Sequence, residues 1–176
     1  LLKWKGYPLF KSAFDLSIYW MLINELKPDV IIELGSGPGG SAVWLSDISK
    51  AFGLNAKVLS YDIARPVFDY PNVEFLEFDL CAIKNSASFS RNESWTGVKL
   101  VIEDAHVNVL DVLREIDNYL TAGDYLVVED SDNKQEILLE FLSAAKNIYL
   151  TDQYFLDFFG RNGTSARNSI FRVQGR

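Results

Sequence analysis

A chain of 176 residues is most simply one domain, and its 48% apolar and 14% aromatic content fits a globular fold and excludes general disorder. Its formal net charge of −7 argues against nucleic-acid and anionic-membrane partners, because both require clustered positive charge, and favours a small-molecule ligand. No apolar run reaches the ~20 residues of a membrane span, no secretory leader is visible, and Cys81 has no second cysteine to pair with, so we expect a cytoplasmic protein.

The N-terminal part of the chain predicts an irregular segment, a helix and a strand. Residues 1–11 show no periodicity and are expected to be irregular. Ser12 and Asp15 resemble a capping box, and apolar residues at helical spacing then predict a helix over 12–26. A short apolar run predicts the first strand at 30–33.

A glycine-rich turn follows this strand and leads into a predicted helix over 41–52. The residues expected to contact a ligand there are Gly35, Ser36, Gly37, Gly39, Gly40 and Ser41. Glycines expose backbone N–H groups, and the N-terminus of the following helix favours polar or anionic ligand groups. The spacing therefore predicts a nucleotide-like binding turn.

The spacing also matches the G-x-G-x-x-G pattern of dinucleotide sites, so a dinucleotide is a second candidate ligand for this turn. Glu33, two residues before the first glycine, suits the cationic end of S-adenosylmethionine (SAM) and would repel a pyrophosphate. The chain is also short for a dehydrogenase, which needs a substrate domain. We therefore favour SAM, while an NAD site and a turn that only packs helix against strand stay as alternatives.

The rest of the chain continues to alternate between strands and helices. Further strands are predicted at 57–62, 73–79, 98–103, 125–128, 147–150 and 168–173, and helices at 108–120 and 134–145. The stretch 81–97 is predicted to be mainly loop, and the connection 151–167 permits an antiparallel final pair. This order predicts an α/β fold, a Rossmann-like, doubly wound, mostly parallel seven-stranded sheet with the last strand antiparallel, in a single domain spanning 1–176.

An acidic residue ends each of the first five predicted strands. These acids are Glu33, Asp62, Asp79, Asp104 and the Glu129-Asp130 pair. Ligands of open α/β sheets bind outside the carboxyl ends of the strands. Asp62 follows the glycines at a distance that suits a carboxylate accepting two ribose hydroxyls, and Asp79 is placed to bound an adenine pocket. Each of them can instead be a solvated acid.

Three of these acids predict a metal site. Asp104, Glu129 and Asp130 follow two neighbouring strands and would offer hard oxygen ligands to a divalent cation such as Mg²⁺. His106, the only histidine, lies just beyond Asp104. It is a candidate general base or a residue beside the metal, with an ordinary surface histidine as the alternative.

The segments around these residues resemble class I SAM-dependent methyltransferases. IIELGSGPGGSAVWL resembles their first motif, and YDI resembles their second-strand acid. EDAHVNVLDVLREIDNYLTAGDYLVVED is similar to the later motifs of the cephalosporin hydroxylase and rhamnosyl O-methyltransferase-like family. The resemblance extends from about Lys11 to Asp130, and it departs at His106, where relatives commonly read Asp-x-Asp-His.

The resemblance implies a SAM-dependent O-methyltransferase that binds a divalent metal through Asp104, Glu129 and Asp130. The metal would acidify the hydroxyl of a small-molecule acceptor, which then attacks the sulfonium methyl group. Asp104 and His106 are the candidate catalytic residues. An NAD-dependent oxidoreductase and a non-catalytic SAM-binding module stay as alternatives, and a homo-oligomer is possible.

Overall fold

The computed structural model describes residues 1–85 and 95–175 and has helices on both faces of one large sheet. Its strands are β1 (Leu2–Trp4), β2 (Tyr7–Leu9), β3 (Val30–Leu34), β4 (Lys57–Asp62), β5 (Val73–Glu77), β6 (Lys99–Glu103), β7 (Tyr125–Val128), β8 (Ile148–Thr151) and β9 (Ile170–Gln174). Its helices are α1 (Ala13–Leu26), α2 (Gly40–Ala51), α3 (Val109–Ile116), α4 (Gln135–Ala144) and α5 (Gln153–Asp157), with 3₁₀ turns at Leu80–Asn85 and Ser131–Asn133.

The large sheet has seven strands in the order β5-β4-β3-β6-β7-β9-β8. Strands β5, β4, β3, β6 and β7 are parallel, whereas β9 pairs antiparallel with both β7 and β8. The predicted Rossmann-like sheet with an antiparallel last strand is therefore confirmed. The chain order reverses beside β3, and such a switch point is where α/β proteins bind their ligands.

The two faces of the sheet form separate apolar cores. All five residues of β3 are buried, and they alternate between the faces: Ile32 packs with α3 and α4, and Ile31 packs with α1 and α2. A strand covered on both faces has to be apolar throughout, which explains the uninterrupted run that marks it in the sequence. The buried charge of Glu33 within this run is the exception.

Residues 1–11 are not irregular as predicted, because β1 and β2 pair into a hairpin with Trp4 opposite Tyr7. Lys5 and Gly6 both have positive φ, which is the geometry of a tight hairpin turn. Strands of three residues are too short to show a two-residue period. Contacts with the domain hold the hairpin, and the ring of Tyr7 stacks on Phe68 with centroids 4.3 Å apart.

The other elements differ from their predicted bounds by a few residues. β5 ends at Glu77 and α3 at Ile116, and the connection 151–167 contains the short helix α5. The predicted loop at 81–97 begins with the last residues of a 3₁₀ turn, and residues 86–94 lie outside the described part of the chain. Within the described ranges, none of the helices has the length and apolarity that crossing a bilayer requires.

Candidate cofactor and metal site

A cavity of about 390 Å³ lies at the carboxyl ends of β3, β4, β6 and β7. Its volume falls within the range of about 300–1,000 Å³ that is usual for small-molecule sites. Ten residues singled out from the sequence line it: Gly35, Ser36, Gly37, Gly40, Ser41, Asp62, Asp79, Asp104, His106 and Asp130. Glu33, Gly39 and Glu129 do not line it.

The glycine turn exposes backbone to this cavity. Gly37 has a φ of +48°, and a Cβ placed on it would meet no atom within 4 Å. Gly35 and Gly40 are required for packing instead, because a Cβ on Gly35 would lie 2.7 Å from the backbone of Asp104 and one on Gly40 would lie 1.9 Å from Pro8 O. The turn is thus fixed between β6 and the hairpin while its centre faces open space.

The two acids proposed for the nucleoside lie on the cavity wall. Asp62 accepts a hydrogen bond from the backbone N–H of Gly37 through Oδ2 (2.8 Å), so its carboxylate is held beside the glycine turn. Asp79 accepts one from the N–H of Cys81 at 2.9 Å, which is a local turn contact. Asp62 is therefore the better placed of the two for ribose hydroxyls.

Glu33 is fully buried beneath the turn. Its Oε2 accepts a hydrogen bond from Ser60 Oγ (2.5 Å), whereas Oε1 has no hydrogen-bond partner within the described residues. Burial raises the pKa of Glu33, although the charge of Lys11 and the neighbouring hydroxyl groups of Ser41 and Ser60 act in the opposite direction. A buried carboxylate oxygen without a donor is costly, and Oε1 of Glu33 lies beneath the turn without lining the cavity.

Asp104, His106 and Asp130 form a cluster in which one potential metal-binding atom of each lies within 4.8 Å of the others. His106 Nε2 is 3.2 Å from Asp104 Oδ1 and 3.4 Å from Asp130 Oδ2. Both His106 (φ 59°) and Asp130 (φ 43°) have a left-handed backbone. Such conformations cost roughly 1–3 kcal/mol and concentrate at functional sites.

Glu129 is not a member of this cluster, and its carboxylate binds two residues that the sequence did not single out. Its Oε1 accepts hydrogen bonds from Lys11 Nζ (2.6 Å) and from the Tyr19 hydroxyl (2.5 Å). Lys11 also donates to Asp104 Oδ2 at 2.8 Å. Metal ligation by Glu129 therefore stays a prediction, since the carboxylate already serves to bind the lysine.

The Lys11 ammonium is buried between carboxylates. Burial by itself lowers the pKa of Lys11, but the charges of Glu129, Asp104 and Glu33 outweigh it, so the pKa lies above its ordinary value. Burial and the neighbouring charge of Asp104 raise the pKa of Glu129 to about 7, against the effect of Lys11. Both directions agree with one ammonium group buried among several acids.

Lys134 is the second buried lysine that sequence reasoning missed. Its Nζ lies 2.8 Å from Glu103 Oε2, 2.6 Å from the Glu129 carbonyl oxygen and 2.8 Å from His106 Nδ1. Glu103 is fully buried and also accepts the backbone N–H of His106 through Oε1 at 2.9 Å. An acid inside an apolar strand was the available signal, since a buried charge needs a partner.

The sheet order, the glycine turn and the acids around it together define the fold of class I SAM-dependent methyltransferases. Residues 1–140 match the family model described as Rhamnosyl O-methyltransferase/CmcI, and this chain belongs to that family. The predicted family resemblance is thereby confirmed.

Among curated proteins, this chain is similar to the rhamnosyl O-methyltransferases of mycobacteria. It is 35% identical to that of Mycobacterium leprae (strain TN) over 147 residues, covering 78% of this chain and 64% of the relative. The corresponding protein of Mycobacterium tuberculosis (strain H37Rv) is 33% identical over 136 residues, covering 72% of this chain and 56% of the relative. The matched region is thus less than two thirds of either relative.

Solved structures show the same fold at lower sequence identity. A structure of CmcI with Mg and SAM superposes with a TM-score of 0.83 at 22% identity, covering 98% of this chain and 76% of CmcI. The O-methyltransferase TomG of Streptomyces achromogenes, in complex with SAM, gives a TM-score of 0.58 at 14% identity, covering 97% and 83%. These likenesses support the fold.

Proposed function

We propose that this protein is a SAM-dependent, divalent-metal-assisted O-methyltransferase that acts on a hydroxyl group of a small molecule. The observation that carries the proposal is that a single cavity joins the glycine turn and Asp62 to the cluster of Asp104, His106 and Asp130. A methyl donor and an acceptor have to meet in one enclosed space for transfer to occur. The curated relatives named rhamnosyl O-methyltransferases support the reaction class.

Different residues of the chain would bind different groups of SAM. The unpartnered Oε1 of Glu33 suits the amino group of SAM, and the backbone of the glycine turn suits its carboxylate. Asp62 would accept the ribose hydroxyls, and Asp79 lies on the cavity wall beyond it. The pyrophosphate of a dinucleotide would need a cationic side chain near the glycine turn. Among the described residues that line the cavity, Lys11 is the one lysine or arginine, and it is already bound to two acids.

The donors of the cluster fit a hard divalent cation such as Mg²⁺. Asp104 and Asp130 would hold it, with Glu129 as the predicted third carboxylate, and the ion would lower the pKa of the acceptor hydroxyl. Buried Lys11 balances part of the surrounding negative charge and keeps Asp104 beside the cavity. CmcI, with Mg and SAM in its structure, supports this assignment.

The same proposal extends to the location, the acceptor and the self-association of the protein. We place the protein in the cytoplasm, where a reducing environment keeps the exposed thiol of Cys81 free. The acceptor is a small molecule with a hydroxyl group, and the relatives named rhamnosyl O-methyltransferases suggest a sugar as the first class to assay. Self-association stays a prediction that sedimentation would test.

Calorimetric titration with SAM, S-adenosylhomocysteine and NAD tests the cofactor. We expect both sulfur nucleosides to bind and NAD to give no heat. Glu33→Gln should weaken SAM binding by about 10- to 100-fold, because a charge-assisted hydrogen bond is worth roughly 1.5–3 kcal/mol. Glu77→Gln, at the exposed end of β5, is the matched control and should bind like the wild type. Tight NAD binding without SAM binding would refute the proposal in favour of an oxidoreductase.

Binding of Mn²⁺, followed by electron paramagnetic resonance, tests the metal. Asp130→Asn should lower Mn²⁺ affinity at least about tenfold, since it removes a charged oxygen ligand. Asp132→Asn changes an equally exposed acid two residues away and should have little effect. Methyl transfer that proceeds equally with and without divalent cation, or equal Mn²⁺ binding by the two variants, would contradict a metal-assisted mechanism.

A further inference from the structure

We infer that Lys134 is a positioning residue that holds the His106 ring in the tautomer with its proton on Nε2, so that His106 is neither the general base nor a metal ligand of this site. The ring geometry stands on its own, whereas the catalytic consequence rests on the proposed methyltransferase function.

Lys134 donates hydrogen bonds to three acceptors at the end of the sheet. It is almost fully buried at the start of α4, and its side chain reaches back to the ends of β6 and β7. An ammonium group has three protons and no acceptor. Three acceptors lie within 2.8 Å of Nζ, namely Glu103 Oε2, the Glu129 carbonyl oxygen and His106 Nδ1. The buried carboxylate of Glu103 forms an ion pair with the ammonium group.

The hydrogen bond from Lys134 determines the tautomer of the His106 imidazole. Because Lys134 donates to Nδ1, the Nδ1 atom has to present its lone pair, and a neutral ring then carries its proton on Nε2. Nε2 faces Asp104 Oδ1 at 3.2 Å and Asp130 Oδ2 at 3.4 Å, and both are acceptors. The opposite tautomer would put an N–H against an ammonium and a lone pair against two carboxylates. Both ends of the ring therefore select the same form.

The backbone of His106 is held by the same ion pair. His106 lies in the left-handed region, and its N–H donates to Glu103 Oε1, the other oxygen of the carboxylate that binds Lys134. Glu103 and Lys134 thus fix the main chain and the ring of His106 together. A histidine held at both points has little freedom to rotate and exchange its two nitrogens.

The chemical consequence follows from the direction of the lone pair. A general base and a metal ligand both need an unprotonated nitrogen directed at the reacting groups. His106 directs N–H there and its lone pair at Lys134. It therefore places an N–H group beside Asp104 and Asp130, and the metal site is left with oxygen ligands. The proton of the acceptor hydroxyl has to pass to a carboxylate oxygen or to water.

Nitrogen-15 NMR tests this directly, because His106 is the only histidine in the chain and needs no assignment. The wild-type protein would be labelled at histidine and recorded above the ordinary histidine pKa of about 6.5. We expect one tautomer with the proton on Nε2 and an Nδ1 resonance displaced by an accepted hydrogen bond. A ring protonated on Nδ1, or a rapidly averaged mixture, would overturn the inference. This measurement decides the matter even when no variant folds.

A lysine variant supplies the second comparison. Lys134→Met keeps the length of the side chain and removes the donor, so the Nδ1 resonance should move to that of a lone pair in water and both tautomers should be populated. Lys50→Met, at an exposed lysine near the end of α2, should leave the spectrum unchanged. A folded Lys134→Met protein with the wild-type spectrum would refute a positioning role.

The outcome is separable from that of the proposed function. Failure to bind SAM or Mn²⁺ would end the methyltransferase proposal and leave the tautomer result standing. Addition of Mg²⁺ should preserve the Nε2 proton. Conversion of the ring to the Nδ1–H form on adding Mg²⁺ would show that Nε2 binds the ion, and it would overturn the inference while strengthening the metal site.

Discussion

At the scale of single residues, the site depends on two lysines that lie among its acids. Lys11 joins the carboxylates of Asp104 and Glu129, which come from β6 and β7, to the segment that precedes α1. Its side chain is only 1% exposed, so the interaction is shielded from solvent. A buried charge that loses its partner is strongly destabilising, whereas the intact pair can be nearly neutral for stability.

We therefore predict that Lys11→Met lowers the free energy of unfolding by about 3–5 kcal/mol, because it leaves buried Glu129 and partly buried Asp104 without a counter-charge. Urea unfolding followed by circular dichroism measures the change. Lys3→Met, at an exposed lysine of β1, is the control and should cost less than about 0.5 kcal/mol. Equal unfolding midpoints for the two variants would show that Lys11 does not bridge the acids.

At the scale of elements, the β1-β2 hairpin covers the glycine turn, and an acid on α2 supplies several of the contacts that hold it. Asp47 accepts hydrogen bonds from Trp4 Nε1 (2.6 Å) and from the Tyr70 hydroxyl, and Lys5 Nζ lies 2.8 Å from it. Since Pro8 O rests against Gly40, release of the hairpin would uncover the start of α2. The position of the hairpin is thus coupled to the shape of the cavity.

Asp47→Ala should release the hairpin and destabilise the protein by about 1–3 kcal/mol, since it leaves the Trp4 N–H without its acceptor. Proteolytic cleavage within residues 1–12 measures this release, and Asp69→Ala, at an exposed acid, serves as the control. Cleavage no faster than in the control would show that other contacts hold the hairpin.

The same contact predicts a pH dependence. Burial raises the pKa of Asp47, but the hydrogen bonds from Lys5, Trp4 and Tyr70 lower it by more than burial raises it. The pKa of Asp47 is therefore below its ordinary value. A lowered acid pKa stabilises the folded state above the unfolded pKa of about 3.9 and loses that effect as pH falls toward the folded value. Cleavage of the hairpin should therefore accelerate in acid in the wild type more than in Asp47→Ala.

At the scale of the whole molecule, the last strand completes the sheet. β9 lies between β7 and β8 rather than at an edge, and Ile170, Phe171 and Val173 are buried on its two faces. Ser169 Oγ donates to the Val128 carbonyl at 2.7 Å, next to the turn that bears Asp130. The C-terminus therefore supports both the core and one side of the site.

Removal of residues 168–176 should prevent cooperative folding, because it exposes the edge of β7 and leaves β8 without its partner strand. Removal of residues 175–176 alone should leave the unfolding transition intact, since Gln174 is the last strand residue. Thermal unfolding followed by circular dichroism compares the two shortened chains. A sharp transition in the shorter one would show that the sheet is stable without β9.

The sequence by itself determined the alternation of strands and helices, the glycine turn and the family. These follow from local patterns: the apolar run of β3, the capping box of Ser12 and Asp15, and glycines where positive φ or close packing requires them. It also placed Asp62, Asp104 and Asp130 at strand ends, which parallel topology brings to one side of the sheet.

Only the tertiary structure decided how the charges of the site are paired. Lys11 and Glu129 are 118 positions apart, and no period or motif connects a lysine before the first helix to an acid after β7. Lys134 and His106 meet because α4 begins beside the end of β6. This neighbourhood depends on how the elements pack in the folded chain and not on their spacing in the sequence. Hydrogen bonds between distant segments form only when packing brings their atoms within about 3 Å, so the direction of each side chain is a property of the folded molecule.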